Sequence, residues 1–328
     1  MVISFILVLG LIVAISARFG VKPSFGIRFL STAARIPRHR AALTAMCPAP
    51  PKIPPEIAET LPIHVTAWGE VGPKVLLIHG GVQGGLGGGP ATFREQQPLS
   101  AQGWRLFVAD RPGFGQSPSR GPDDMEADAE WVVAHLGDGA HLIGHSFGGA
   151  VAVLAAARRP SAVRSLILIE PALVPLMIGS KVMKSDTPAR EDFLRMIRSW
   201  VSTRTPAEYA RSLMHNLGVS PHRSGDAATE VIDEQRATDV GCAFLRARLA
   251  SPAALRKAAR AVADARIPAL VVTGGWSPTF DAVGNIAAEL TGGRHVVLAS
   301  PNHFVQMVAA EEFNRTAAEF MRAADAPR

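Results

Sequence analysis

Short apolar runs recur along most of this chain and alternate with stretches whose apolar positions fall at helical spacing. Residues 61–68 (LPIHVTAW) alternate apolar and polar positions, as a half-buried strand does. The runs 74–80 (KVLLIHG), 104–110 (WRLFVAD), 140–144 (AHLIG), 163–170 (VRSLILIE), 267–275 (IPALVVTGG) and 294–300 (RHVVLAS) are nearly continuous apolar segments of strand length, the pattern of strands covered on both faces. Between them the spacing predicts helices near 91–101, over 124–136 with Met125, Ala129, Val132, Val133 and Leu136 on one face, over 150–159, near 281–290 and near 311–323. Strands that alternate with helices in this way specify an α/β fold with a mostly parallel central sheet flanked by helices. Residues 171–266 break the alternation. They carry helix-like segments and no convincing strand, and they interrupt the chain between two predicted strands, so they read as a helical cap inserted into a core made of residues 56–170 and 267–328.

Ahead of this core the pattern is different. Residues 2–17 (VISFILVLGLIVAISA) carry no charge. A helix of this length reaches roughly 24 Å, somewhat less than the ~30 Å hydrocarbon core of a bilayer. Three readings are open: a membrane anchor, whose following basic residues would favour a cytoplasmic C-terminal side; a cleaved signal peptide with a small-x-small site at Ala14-Ile15-Ser16 but no basic segment before the apolar run; and a chain whose translation starts at Met46, which would be cytoplasmic. Residues 18–45 lack acidic residues and clean periodicity, and Pro23 and Pro37 interrupt any helix, so they are expected to lie outside the folded domain. The proline-rich stretch 48–55 (PAPPKIPP) reads as an extended linker that closes an N-terminal region spanning 1–55.

Charge follows the same boundary. The 328 residues carry 34 Lys and Arg against 28 Asp and Glu, a formal net charge of +6. Seven of the basic residues and none of the acidic ones fall within residues 1–55, which leaves the rest of the chain close to neutral. A basic protein of this kind would ordinarily suggest a nucleic-acid partner; here the excess sits beside an apolar segment outside the domain, and nucleic-acid binding is not expected. The two cysteines, Cys47 and Cys242, form no CxxC pair and no disulfide framework, and they leave the compartment undefined. No metal-ligand spacing is visible, and the glycine-rich run 84–89 is not followed by the Lys and Ser/Thr of a phosphate-binding loop.

Chemistry concentrates at Gly144-His145-Ser146-Phe147-Gly148, a G-x-S-x-G motif directly after the strand 140–144 and before the helix 150–159. At such a turn the serine takes a strained backbone conformation and its hydroxyl projects above the sheet edge, while small neighbours let strand and helix approach closely. The Phe147 N–H, at the helix N-terminus, is then free to receive an oxyanion.

With this motif in place, the chain from about residue 61 to 322 resembles the α/β-hydrolase superfamily, in its serine-nucleophile, cap-bearing branch. The resemblance rests on His79-Gly80-Gly81 after one strand, Asp110-Arg111-Pro112-Gly113-Phe114-Gly115-Gln116-Ser117 after the next, the turn at Ser146, and Asn302-His303-Phe304 near the C-terminus. It implies Ser146 as nucleophile, His303 as general base, a second oxyanion donor at the Gly81 amide or at that of Val82, and no metal or organic cofactor. It also implies a loop-fixing role for Asp110. His79 is expected to be a hydrogen-bonding post, and His145 to pack beside the turn. His141 and His295, in or beside strands, and His215 and His222, in the cap, are expected to be core or solvated residues.

The acid departs from the commonest pattern. Where many relatives have Gly-x-x-Asp-Pro after the penultimate strand, this chain has Gly274-Gly275-Trp276-Ser277-Pro278, so a serine occupies the aspartate's place. Glu170, closing the strand 163–170, and Asp281, in the first turn of the next helix, are the two candidate carboxylates. The resemblance implies a hydrolase of small or medium apolar esters, thioesters or lactones that works through an acyl-enzyme, with the cap roofing the pocket. Perhydrolysis, C–C bond hydrolysis and acyl transfer use the same triad and stay open, as does a non-catalytic ligand-binding protein that has lost its acid. A nucleophilic serine argues against relatives that alkylate an aspartate.

Overall fold

The computed structural model describes residues 38–50, 52–54, 56–57, 61–85, 87–185, 187–219 and 233–326. The apolar run 2–17 lies outside the described residues; among those described, no helix is long and apolar enough to cross a membrane. Seven strands form one sheet: β1 (Val65–Trp68), β2 (Lys74–Ile78), β3 (Arg105–Ala109), β4 (Ala140–His145), β5 (Val163–Ile169), β6 (Ala269–Thr273) and β7 (Arg294–Val297). Their order across the sheet is β1-β3-β2-β4-β5-β6-β7. β1 pairs antiparallel with β3, and every other pairing is parallel. Each strand falls within a segment that the hydrophobic pattern marks, apart from β4, which runs one residue further to His145, and the central ones, β4 to β6, are buried along nearly their whole length.

Labelling helices along the chain, α1 covers residues 38–45; α2 is Gly89–Phe93, α3 Met125–His135, α4 Phe147–Arg158, α5 Pro188–Val201, α6 Pro206–Asn216, α7 Glu234–Arg246, α8 Pro252–Asp264, α9 Pro278–Thr291, α10 Val305–Val308 and α11 Ala310–Asp325. α3, α4, α8 and α9 cover one face of the sheet around a core that includes Val132, Val151, Leu166, Leu255 and Val283. Phe93, Leu99, Phe313, Ala317 and Met321 fill the other face against Val75, Leu77, Ile143 and Ile167. The helix expected near 91–101 is a single short turn, α2, that continues as the 3₁₀ segment Arg94–Gln102, with Pro98 inside it. Proline supplies no N–H and clashes with the preceding turn, which prevents regular α-helix from continuing.

Two expectations about organisation change. The insertion after β5, expected to form a helical cap to residue 266, carries α5, α6 and α7 and then α8. α8 places Leu255, Ala258, Ala259 and Val262 in the same core as α4 and belongs to the layer flanking the sheet. Its amphipathic spacing marks a helix without saying which partner the apolar stripe meets. Residues 18–45 are not wholly outside the folded body either. α1 buries Leu43, Arg40 donates to the carbonyls of Leu245 and Ala247 at the end of α7 (2.8 and 3.0 Å from Nη2), and the His39 ring lies 3.1 Å from the Trp200 carbonyl of α5. Two residues beyond α1, Cys47 is disulfide-bonded to Cys242 on α7, closing a sequence separation of 195 residues. Acid-free, basic composition suggests an arm outside the domain; in the structure Arg40 is satisfied by carbonyls at a helix C-terminus, which need no acidic partner.

Candidate active site

The loops after β2, β4, β5, β6 and β7 meet at the C-terminal edge of the sheet. The turn after β4 is the tightest. Ser146 has φ 54° and ψ −119°, an uncommon conformation for a residue with a side chain. It is held there because its N–H donates to the Ile169 carbonyl (2.9 Å) and its carbonyl accepts from Gly149, Ala150 and Ala172. A Cβ on Gly148 would stand 2.2 Å from the Ile78 carbonyl oxygen, so only glycine lets α4 pass this close to β2. The Ser146 side chain stays half-buried, and the loop after β2 crosses directly beside it: a Cβ on Gly80 would lie 2.6 Å from the Ser146 Cβ. Phe147 is the first residue of α4, so its N–H has no acceptor within the helix.

Glu170 is the second strained residue of the site, with φ 44° directly after β5. Its amide donates to the Val272 carbonyl (2.8 Å), which turns the side chain toward the loops that follow β6 and β7. Oε1 accepts from the Gly274 amide (2.6 Å) and the Trp276 indole (3.2 Å), and Oε2 lies 3.2 Å from His303 Nδ1. Burial is the main influence on both partners. It pushes Glu170 up to about 8 against the bonds from Gly274 and Trp276, and it pushes His303 down to about 3. The His303 ring is walled by Phe280, His145, Phe304 and Trp276, at centroid distances of 4.8, 4.9, 5.9 and 6.3 Å. Its Nε2 is buried and has no hydrogen-bond partner among the described residues. The cap reaches this loop too, for the His303 amide donates to the Leu217 carbonyl just beyond α6 (3.1 Å).

Asp281 stands in another network. It accepts from the Thr273 hydroxyl and the Gly275 amide, and the same hydroxyl lies 2.7 Å from His295 Nε2. Among the described residues only Glu170 of the two candidate carboxylates meets His303. Ser277, in the aspartate's place, caps α9 and donates to Asp192 Oδ2 on α5 (2.9 Å), so this position docks the cap. Asp192 was not singled out by the sequence; its only signal was a carboxylate on the apolar face of a helix. Burial opposes its ionisation, but hydrogen bonds from Thr279 and Ser277 and the nearby Arg195 outweigh that and hold it below the usual carboxylate range.

The remaining residues fall as their surroundings dictate. His79 is a post: Nε2 accepts from the Arg111 amide (3.0 Å) and Nδ1 therefore donates to the Gly80 carbonyl (2.8 Å). Asp110 fixes loops by accepting from the Gly89 and Gln116 amides (2.8 and 3.0 Å). His145 is buried beside the turn, with Nε2 3.0 Å from the His303 carbonyl. His141 bridges Ser165 and Asp325 at the far end of β4, and His215 lies in the last turn of α6. His222 is outside the described residues. Most of the cap's large apolar residues serve as packing: Met177, Phe193 and Met196 are buried, and the Tyr209 ring lies against that of Phe244. No cluster of three potential metal ligands occurs among the described residues.

A family model described as alpha/beta hydrolase fold matches residues 73–310. The chain belongs to the α/β-hydrolase family. A pimeloyl-[acyl-carrier protein] methyl ester esterase of Neisseria meningitidis is 40% identical over 95 residues, 29% of this chain and 29% of that protein. The chain thus spans about a third of the length of these curated relatives. Among solved structures, 2-hydroxy-6-oxo-6-phenylhexa-2,4-dienoate hydrolase from Rhodococcus sp. strain RHA1 is similar with a TM-score of 0.59 at 18% identity, over 81% of this chain and 96% of that one. A bacterial membrane phospholipase A is similar over 98% of this chain and 99% of its own, with a TM-score of 0.55 at 21% identity. At these identities the structural likenesses establish the shared fold.

Proposed function

We propose that this protein is a serine hydrolase that cleaves a small or medium apolar ester, thioester or lactone through an acyl-enzyme. The observation that carries the proposal is the Glu170–His303 pair. The buried Glu170 carboxyl 3.2 Å from Nδ1, once ionised, accepts from it and sets the imidazole tautomer, and the opposite nitrogen is left buried and unpartnered among the described residues, above a sheet edge where Ser146 is presented on a strained turn. In the mechanism, Nε2 of His303 takes the Ser146 hydroxyl proton as Oγ attacks the acyl carbon. Glu170 stabilises the imidazolium that forms, and the carbonyl oxygen, now anionic, rests on the amides of Phe147 and Gly81. His303 then protonates the leaving group. Water enters, gives its proton to the same nitrogen and splits the acyl-enzyme to release the acid and regenerate the serine.

The fold family and the ester-cleaving relatives support acyl chemistry, and the aromatic rings around His303 support an apolar acyl or leaving group. A fluorophosphonate probe tests the assignment: one label per chain, located at Ser146 and abolished in S146A, is expected. A folded protein whose Ser146 stays inert would instead favour a ligand-binding role on the hydrolase fold. A panel of esters with graded acyl length then reads the size of the pocket, with S146A as the control.

A further inference from the structure

One fully buried cation lies beside the site and takes no part in the triad. Arg111, at the start of the loop after β3, has no solvent exposure. Its Nε donates to Asp128 Oδ2 (2.8 Å) and its Nη2 to Asp123 Oδ1 (2.7 Å). The remaining terminal nitrogen, Nη1, donates to the carbonyl oxygens of Gly81 (3.0 Å) and, at longer range, Gly80 (3.4 Å). The guanidinium carbon also stands 4.0 Å from the centroid of the Phe147 ring. Arg111 therefore touches both segments whose amides would hold the oxyanion.

Planarity of the peptide turns this contact into an orientation. In a trans peptide the C=O of one residue and the N–H of the next point in opposite directions, and no cis peptide bond occurs among the described residues. Holding the Gly80 carbonyl toward the guanidinium, with His79 Nδ1 as its second donor, turns the Gly81 N–H away from it. Holding the Gly81 carbonyl does the same for the Val82 N–H. Gly81 has φ 81°, a region glycine enters freely, so its own torsions leave the loop open to a peptide flip. Beyond it the loop is anchored again, because the Gln83 amide donates to the same Asp123 (3.1 Å) and Val82 packs against Ala210 and Val240 of the cap.

We infer that Arg111 is the positioning residue of the oxyanion hole: braced by Asp123 and Asp128, it locks the Gly80 and Gly81 peptides so that the amides of Gly81 and Val82 stay turned toward the nucleophile. Lysine cannot replace it. The planar guanidinium offers donors in three directions at once, while an ammonium offers them from a single point. The assignment rests on the serine-hydrolase reading above.

The test uses the full chain and the variants R111K and R111M, with folding checked by thermal unfolding. Two active-site ligands are compared: an alkyl boronate, which forms an anionic tetrahedral adduct with the serine, and an uncharged ether of the same alkyl length, which fills the pocket without placing an anion in the hole. The expected result is a fall in kcat of about 10²-fold, with KM little changed. Boronate affinity should fall in parallel while ether affinity holds. Equal losses for both ligands, or kcat unaffected, would overturn the inference. If neither variant folds, D123N, which leaves Arg111 braced by Asp128 alone, must show the same selective loss at smaller amplitude; a loss shared by the two ligands overturns the inference there as well. Wild-type protein that is not labelled at Ser146 and cleaves no ester defeats the serine-hydrolase reading itself. An active wild type with an unaffected R111K defeats only the role of Arg111.

Discussion

The Glu170 carboxylate grips both sides of the gap left by the missing aspartate: one oxygen faces His303 Nδ1 at 3.2 Å, and the other accepts from the Gly274 amide, in the loop where relatives carry their acid. In the proposed assignment Glu170, at the neighbouring strand end, serves as the acid, and this loop is its hydrogen-bond donor. E170Q should therefore lower kcat on the order of 10³–10⁴-fold, because an amide can neither stabilise imidazolium nor enforce the productive tautomer. D281N, whose carboxylate serves Thr273 and Gly275, should retain kcat within about threefold, below the ~1 kcal/mol that a single hydrogen bond contributes. Steady-state kinetics on both variants checks this, and the opposite ranking would sink the assignment.

The Trp276 indole is the second donor to Glu170 (3.2 Å) and is only half-buried. W276F keeps the ring packing beside His303 and removes the N–H. Bonds from Gly274 and Trp276 favour the ionised carboxylate, whereas burial opposes it. Losing one of them should move the ionisation of the Glu170–His303 pair to higher pH, so that the rising limb of kcat/KM against pH shifts upward while the plateau changes little. A profile superimposable on that of the wild type would show that the indole has no share in holding the charge.

Restoring an aspartate at position 277 should not restore a triad. Ser277 is buried, caps α9 and bonds to Asp192 across the cap interface. S277A should cost about 1–2 kcal/mol through the lost cap and the lost bond to a charged group. In S277D a second carboxylate would face Asp192 in a buried contact, a like-charge pair beside the exposed Arg195. Chemical denaturation of S277A and S277D, together with kcat of the E170Q/S277D double variant, checks both parts. Recovery of activity in the double variant would contradict the geometry.

Stability should peak near pH 6.5. Burial pushes His79 and His303 down to about 3 and His145 well below its ordinary value. Each of the three takes up a proton on unfolding between those values and the unfolded value of about 6.5, so stability falls as pH drops through that window. Glu170 has the opposite sign. Raised to about 8, it holds a proton in the folded state that the unfolded state releases above about 4.5, so its effect is to lower stability as pH rises toward 8. Below pH 6.5 these histidines, joined by His141 and His295, which burial also pushes down, outnumber the glutamate, so stability falls toward acid; above 6.5 the glutamate's opposite effect lowers stability as pH rises toward 8. Unfolding midpoints in urea at pH 5, 6.5 and 8.5 check the sign on each side, and equal midpoints at pH 5 and 6.5 would contradict it.

How much of this was legible in the sequence depended on how local the determinant was. Strands β2 and β4 to β6 announce themselves because a strand buried on both faces has to be apolar throughout, and the Ser146 turn because its glycines, its strand and its helix are contiguous. His303 follows from chain order once the last strand is known. Glu170 and Asp281 could not be separated, since choosing between them requires knowing where two loops more than a hundred residues apart along the chain come together. Asp192, Arg111's grip on the Gly80 and Gly81 carbonyls and the packing of α8 on the sheet are likewise long-range pairings. A helix's apolar stripe states that it has a partner without naming it. The disulfide is the extreme case: two isolated cysteines carry no spacing signal, and only the fold of the cap brings them to a Cα–Cα distance of 5.6 Å.

That disulfide makes the segment before the catalytic domain part of the cap's stability. Cys47 follows α1 and Cys242 lies in α7, the helix whose Val240 packs on Val82 and whose Arg236 donates to the Gly85 carbonyl (2.9 Å) in the loop beside Ser146. Closing so long a loop restricts the unfolded chain, and stabilisation of about 2–4 kcal/mol is expected. C47S/C242S should lower the thermal midpoint by roughly 5–15 °C, given about 2–4 °C per kcal/mol for a domain of this size. Oxidised wild type treated with dithiothreitol should approach the same midpoint, and reductant should leave the double variant unmoved. Removing residues 1–45 should add to the loss, because Leu43 and the Arg40 bonds to Leu245 and Ala247 go with α1. The helix that loosens is the one touching the loop after β2. Hydrogen exchange at residues 80–85 should therefore rise in the double variant while that of β4 and β5 stays unchanged, and uniform exchange across the chain would show that the bond stabilises the fold as a whole without anchoring this loop.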